Sequence, residues 1–92
     1  MISGTQFSFQ PVTPNPVSNG IGTVNFGVGI DAPTTIEVIN AQGQIVSKLV
    51  DQPLSSGEYT LQFPTPNLGN GVYFLRMTSA DYTKTQQVIV GD

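Results

Sequence analysis

Short apolar runs, broken roughly every 8–12 residues by clusters of Gly, Pro, Asn and Asp, constrain the fold of this chain more than any other feature. Within several runs the apolar residues alternate with polar ones, which is typical of strands that bury one face. Strong helix formers are sparse, so the sequence does not predict an amphipathic helix. The pattern predicts an all-β domain, a small antiparallel β-sandwich of about seven strands.

The cleanest alternation runs from Ile21 to Ile30 and places Val24, Phe26, Val28 and Ile30 on one core-facing side. Further strands are predicted over residues 34–40, 44–50, 58–64, 71–77 and 82–90, with a loop over residues 52–57. Residues 1–11 form either an upstream linker or a first strand, and the domain itself is predicted to span residues 12–92.

The most strand-like run extends from Asn70 to Met77 and is almost continuously apolar. Such a run is typical of the middle of a sheet, where both faces are covered. We therefore expect this strand to have little solvent-exposed face. The glycine-rich residues 67–71 before it tolerate positive φ, and Leu68 is predicted to pack beneath the strand.

Composition argues against several classes of function. The chain has no cysteine and no histidine, which removes disulfides, thiolate metal sites and the usual general base. Three basic residues against six acidic ones argue against a nucleic-acid-binding surface. No apolar run is long enough for a membrane span, and the N-terminus lacks the pattern of a signal peptide. We interpret Met1 as an expression start, which predicts that the chain is one domain of a larger protein.

Candidate catalytic and ligand-binding groups are few. The acidic residues are scattered over predicted turns and strand faces, so a carboxylate pair across a cleft is not expected. Asp31 and Asp81 lie in predicted turns, where calcium binding is the minor alternative to ordinary turn hydrogen bonds. Tyr59 and Tyr73 are predicted to pack in the core, and Tyr82 is the tyrosine expected to be exposed. We therefore expect no cofactor and no enzymatic activity.

Several segments, taken in their order and spacing, resemble a known family. They are Pro14–Asn15–Pro16, residues 36–46 with the turn Gly43–Gln44, Leu54–Ser55–Ser56–Gly57–Glu58–Tyr59, Leu68–Gly69–Asn70–Gly71–Val72–Tyr73–Phe74, and residues 85–90. Together they resemble the type A C-terminal sorting domain of proteins exported by the type IX secretion system (Por secretion system) of Bacteroidetes. The resemblance covers residues 12–90.

The resemblance implies an immunoglobulin-like sandwich of seven strands that is not an enzyme. Such a domain directs a covalently linked upstream passenger from the periplasm through the outer-membrane translocon. A surface sortase-like peptidase then commonly removes it, here within the region before Pro14, which leaves the passenger secreted or at the cell surface. The signature residues carried over from the family are Pro14, Asn15, Pro16, Gly43, Gln44, Gly57, Tyr59, Leu68, Gly71 and Tyr73.

The last strand is the predicted recognition element, because a terminal edge strand offers its backbone to a partner by strand addition. Its residues are Lys84, Thr85, Gln86, Gln87, Val88, Ile89 and Val90. The family often carries lysines near the end of this strand, where this chain has Gln86 and Gln87.

A second interpretation is an immunoglobulin-like accessory module of a secreted enzyme, which acts as a spacer, an adhesion module or a carbohydrate-binding domain. A row of exposed aromatic residues would favour sugar binding. A smooth surface of Thr, Asn and Gln with a free terminal strand would favour sorting.

Overall fold

The structure is a computed structural model and describes residues 6–15, 17, 20–65 and 69–91. Its strands are β1 (Ser8–Phe9), β2 (Ile21–Val28), β3 (Ala32–Asn40), β4 (Ile45–Leu54), β5 (Gly57–Pro64), β6 (Gly71–Ser79) and β7 (Tyr82–Val90). The described ranges contain no helix with the length and apolar character needed to cross a membrane.

The strands form two antiparallel sheets that pack face to face. One sheet has the order β1-β2-β5, and the other has the order β4-β3-β6-β7. This division of the seven strands between two sheets is typical of immunoglobulin-like sandwiches. The predicted all-β, immunoglobulin-like fold is therefore confirmed.

The core lies between the two sheets. β2 directs Val24, Phe26 and Val28 inward, as predicted, and all three are buried. Ile30 was predicted on the same face but is 58% exposed, because β2 ends at Val28 and the chain bends there. The buried apolar cluster draws on both sheets and on the segment before β2: Phe9, Val12, Val17, Val24, Phe26, Val28, Ile36, Val38, Phe63, Leu75, Met77, Val88 and Val90.

β4 pairs with β3 as a hairpin and forms one edge of its sheet. The register between the two strands shifts between Ile36 and Glu37 and again between Val38 and Ile39, so the irregularity predicted in this strand is confirmed. β4 also continues to Leu54, which pairs with Ala32. The loop predicted over residues 52–57 is therefore wrong for residues 52–54, because β3 reaches back far enough to pair with them.

β6 lies between β3 and β7, so its predicted central position is confirmed. The expectation of little solvent-exposed face is wrong. Val72 is 37% exposed and Phe74 is only half-buried. Both lie on the face turned away from the core, and no described element packs over that face.

Candidate functional site

The terminal strand β7 is the other edge of the four-stranded sheet, and its register with β6 is unbroken from Tyr82 to Val90. The backbone N–H and C=O of Ile89 both bond to the N-terminal segment, so they point outward, away from β6. Since backbone groups alternate between the two sides of a strand, Thr85 and Thr83 direct theirs the same way. The outward edge of β7 is the geometry that a strand-adding partner requires.

The N-terminal segment covers part of this edge. We call residues Gln10–Asn15 and Val17 the strap. The strap leaves the three-stranded sheet at Thr13, which pairs with Thr23, and reaches the other sheet at Val17. The N–H of Val17 donates to the carbonyl of Ile89 at 2.7 Å, and the N–H of Gly91 donates to the carbonyl of Val17 at 3.0 Å. Val12 and Val17 are each 1% exposed, so the strap is anchored in the core as well as hydrogen-bonded.

The side chain of Asn15 extends the pairing of Val17. Its Oδ1 accepts a hydrogen bond from the N–H of Ile89 at 3.0 Å, and its Nδ2 donates to the carbonyl of Gln87 at 3.5 Å. A carboxamide has the same donor and acceptor as a peptide group. The side chain of Asn15 therefore makes the hydrogen bonds that a backbone peptide group would otherwise make, next to Pro14, which has no N–H to donate.

Gln86 makes the reciprocal contact from β7 to the strap. Its Oε1 accepts from the N–H of Val12 at 2.9 Å, and its Nε2 donates to the carbonyl of Gln10 at 2.7 Å. This side chain is half-buried, in the seam where the two sheets meet. Gln86 thus joins the first and last segments of the chain.

The outward edge of β7 is consequently divided. The strap occupies the edge from the carbonyl of Gln87 to Gly91. Within the described part of the chain, the outward backbone groups of Thr83 and Thr85 have no backbone partner, and both residues are exposed. The stretch from Thr83 to the N–H of Gln87 is therefore the open part of the edge.

The residues predicted for partner recognition separate into different environments. Lys84, Thr85 and Gln87 are exposed along β7. Val88 and Val90 are buried in the core, whereas Ile89 faces solvent and is 41% exposed. Gln86 contacts the strap, as described above. Only the exposed members of the set are available to a partner while the domain is folded.

Two turns of the chain share one construction, built on the pattern L-x-x-G-x-Y. In the first, the hydroxyl of Tyr59 donates to the carbonyl of Ser55 at 2.6 Å. In the second, the hydroxyl of Tyr73 donates to the carbonyl of Gly69 at 2.8 Å. The bond of Tyr73, at the corner that leads into β6, corresponds to the tyrosine corner of immunoglobulin-like sandwiches, and Tyr59 makes the same kind of bond at the start of β5.

Each of the two turns also has a glycine with the same φ. Gly57 and Gly71 both have φ of +154°, a region that side-chain-bearing residues rarely adopt. The glycine lets the chain turn into its strand, and the tyrosine two residues later holds the turn by its hydrogen bond. These two pairs of signature residues therefore have structural roles.

The other signature residues also lie at turns or in the strap. Gly43 has φ of +86°, and Gln44 bonds through its N–H and its side chain to the side chain of Asn40, which closes the β3–β4 hairpin. Pro14 and Asn15 belong to the strap. Pro16 and Leu68, the latter with its predicted packing role, lie outside the described residues.

Two of the acidic side chains have partners of their own. Glu37 is paired with Arg76 at 2.8 Å, and Asp31 accepts a hydrogen bond from the N–H of Ser56 at 2.8 Å. No group of three Asp or Glu side chains in the described ranges is arranged to hold a metal ion. A cavity of about 360 Å³ is lined by uncharged residues, namely Val38, Asn40, Val46, Ser47, Leu49, Pro64 and Tyr73.

The aromatic residues do not form an exposed row. All five Phe and three Tyr residues lie in the described ranges, and none of them is exposed. Tyr82, the tyrosine expected to be exposed, is half-buried and stacks on Phe7 with ring centroids 5.4 Å apart. The surface feature expected of a sugar-binding module is therefore missing from these residues.

The family model described as the secretion system C-terminal sorting domain matches residues 11–91. The chain belongs to this family. The resemblance to the type IX secretion sorting domain is thereby confirmed. The matched range of the sorting domain begins within the strap and includes every strand except β1. No curated protein matches the chain.

Proposed function

We propose that the export machinery recognises this sorting domain at the open edge of β7, from Thr83 to the N–H of Gln87, when it directs a covalently linked passenger through the type IX translocon. The observation that supports this proposal is the regular, unbulged pairing of β7 with β6, which leaves outward backbone groups at two-residue spacing. An added strand satisfies such groups with main-chain hydrogen bonds. The strap sets one end of the site, because it already occupies the edge beyond Gln87.

Two of the other edges of the sandwich, those of β4 and β5, differ from the β7 edge in ways that an experiment can use. The β4 edge is interrupted by two register shifts, which natural sheets use to block strand addition. The β5 edge is regular and open, like that of β7, but lies on the opposite side of the sandwich. β5 therefore provides a control edge for substitutions made in β7.

Processing follows export in this proposal. A surface sortase-like peptidase removes the domain by cutting N-terminal to β1, and the passenger remains secreted or on the cell surface. Two observations support this position. Ser8 and Phe9 pair with β2, and Thr13 pairs with Thr23, so a peptidase cannot extend residues 8–13 in its active site without breaking the sandwich. Phe9 and Val12 are also buried.

The sorting role is tested by fusing residues 1–92 to the C-terminus of a periplasmic reporter. In a host with a type IX secretion system, we expect the reporter at the cell surface or in the medium. In the same host without its translocon, we expect the reporter to stay in the periplasm. The same distribution in both hosts would contradict the proposal.

Removing residues 85–92 would not be a clean test of recognition. The deletion takes Val88 and Val90 out of the core, and burial of a valine contributes about 1.5–3 kcal/mol. If the truncated fusion stayed in the periplasm, the cause could then be unfolding of the domain as well as loss of a partner contact. Single substitutions on the outward edge avoid this confusion.

A further inference from the structure

The outer face of the four-stranded sheet has an apolar end. We call Ile39, Ile45, Val72, Phe74 and Ile89 the apolar patch. Ile39 is directly opposite both Ile45 and Phe74, and Val72 is directly opposite Ile89, so the five side chains form adjoining rows across the sheet. Ile45 is 48% exposed, Val72 37% and Ile89 41%.

The solvent exposure of the patch differs from the burial that the sequence of β6 predicts. A continuously apolar strand is typical of a sheet that is covered on both faces. Leu75 and Met77 face the core and are fully buried, but Val72 and Phe74 point to the other side. The exposed apolar side chains are contiguous, and contiguous apolar patches on a monomer often mark a binding site.

We infer that the apolar patch is a docking site for a folded protein of the export machinery. This inference rests on the proposed function and adds a second contact surface to it. Ile89 belongs both to the patch and to β7, so a partner that adds a strand beside Thr83 and Thr85 can extend over the same sheet. The patch adjoins the Arg76–Glu37 ion pair, and an apolar centre with a charged rim is the usual anatomy of a protein interface.

The geometry disfavours the other possible occupants. A second copy docked on the patch alone would bury far less than the ~800 Å² per partner of a standard stable interface, whereas a partner that also adds a strand beside Thr83 and Thr85 makes contacts beyond the patch. The passenger joins the sandwich at the wrong end, because Phe7 stacks on Tyr82, about 23 Å along β7 from Ile89. The net charge of −3 disfavours adsorption to an anionic lipid surface.

The test compares two sets of substitutions in the reporter fusion. The patch variant carries Ile45→Thr, Val72→Thr and Ile89→Thr, which keep β-branching while removing apolar surface. The control variant carries Ile21→Thr and Ile30→Thr, which change residues that are 51% and 58% exposed outside the patch. We expect at least a tenfold fall in surface reporter for the patch variant and export like the wild type for the control.

Circular dichroism establishes that each purified variant is folded. If the triple variant unfolds, the single variants Val72→Lys and Ile89→Lys replace it, with the same tenfold loss expected. Equal export of wild-type and patch fusions would overturn the inference alone, whereas failure of the wild-type fusion would also overturn the proposed function.

Two measurements on the purified domain test the other occupants. Analytical ultracentrifugation that shows a wild-type dimer and a monomeric patch variant would overturn the inference in favour of a second copy. Co-sedimentation of the wild type, but not of the patch variant, with phosphatidylcholine–phosphatidylglycerol vesicles would overturn it in favour of a lipid surface. A wild-type monomer that does not sediment is the expected result.

Discussion

Asn15 accepts a hydrogen bond from the backbone N–H of Ile89 through its side-chain oxygen, at 3.0 Å. The two residues are 74 positions apart, and the bond joins the strap to the terminal strand. Together with the Val17 backbone it occupies the last part of the β7 edge. The first and last segments of the sorting domain are thus one structural unit, and the open edge that remains is short and defined.

Gln86→Glu should destabilise the domain. The glutamate cannot donate to the carbonyl of Gln10, and its negative oxygen would face that carbonyl in a half-buried seam. We expect the free energy of unfolding to fall by about 1–3 kcal/mol, measured by urea denaturation. Gln87→Glu is the matched control, because this neighbouring side chain is exposed on the outer face, and its effect should stay within about 0.5 kcal/mol. Equal effects of the two substitutions would contradict the role given to Gln86.

Asn15→Ala should expose the N–H of Ile89 locally. Its amide proton then loses its acceptor, and we expect hydrogen exchange at Ile89 to accelerate by about tenfold, which corresponds to roughly 1.4 kcal/mol of protection. Nuclear magnetic resonance can compare this proton with the amide of Val88, which faces β6 and reports any general loss of stability. Unchanged exchange at Ile89 relative to Val88 would show that the Asn15 bond does not form in solution.

Tyr73→Phe and Tyr59→Phe should each remove the hydrogen bond of the tyrosine hydroxyl while keeping the ring in place. We expect each substitution to lower the free energy of unfolding by about 1 kcal/mol. Since the two turns have the same construction, the two losses should be similar. A loss at Tyr73 with none at Tyr59 would mean that the first turn is held by other contacts.

Gly71→Ala should cost more than a surface substitution, because φ of +154° is strained for any residue with a Cβ. We expect a loss of about 1–3 kcal/mol in thermal or urea unfolding. Gly69→Ala is the control two residues earlier. Its added Cβ would meet only the hydroxyl of Tyr73 at 3.9 Å, and no positive φ is involved. The account of the turn fails if the control costs as much as Gly71→Ala.

The sequence predicts most of the fold because a strand that buries one face has apolar residues at every second position. The alternation of Val24, Phe26 and Val28 matches the core face of β2, and the glycines mark real turns. The extension of β4 to Leu54 was missed, because a bulge resets the alternation and the pairing partner lies in another strand. The same alternation predicts Ile30 in the core, but β2 ends at Val28, before this residue.

The contacts that define the candidate site carry no such pattern. Asn15 lies in a visible proline-flanked motif, but nothing local identifies a partner at Ile89. Gln86 is equally ordinary in sequence, and its bonds cross 74 and 76 positions. The apolar patch was hidden by the rule that a continuous apolar strand is covered on both faces, which the outer side of β6 does not obey.

Recognition of the open β7 edge is tested most directly with proline. Thr85→Pro removes an outward N–H without breaking the β6–β7 ladder, since Thr85 directs its backbone groups away from β6. The matched control is Thr60→Pro in β5. Thr23 and Asn25 direct their backbone groups to the strap side of β2, so the alternate residues of β2 bond to β5. Thr60 is paired with Asn25 and therefore directs its backbone groups outward, on the β5 edge.

The measurement is the fraction of a reporter fusion that reaches the cell surface in a host with a type IX secretion system, for the wild-type, Thr85→Pro and Thr60→Pro domains. We expect surface reporter to fall at least tenfold for Thr85→Pro and to match the wild type for Thr60→Pro, with both purified domains folded by circular dichroism. Full export of the Thr85→Pro fusion would contradict recognition at this edge.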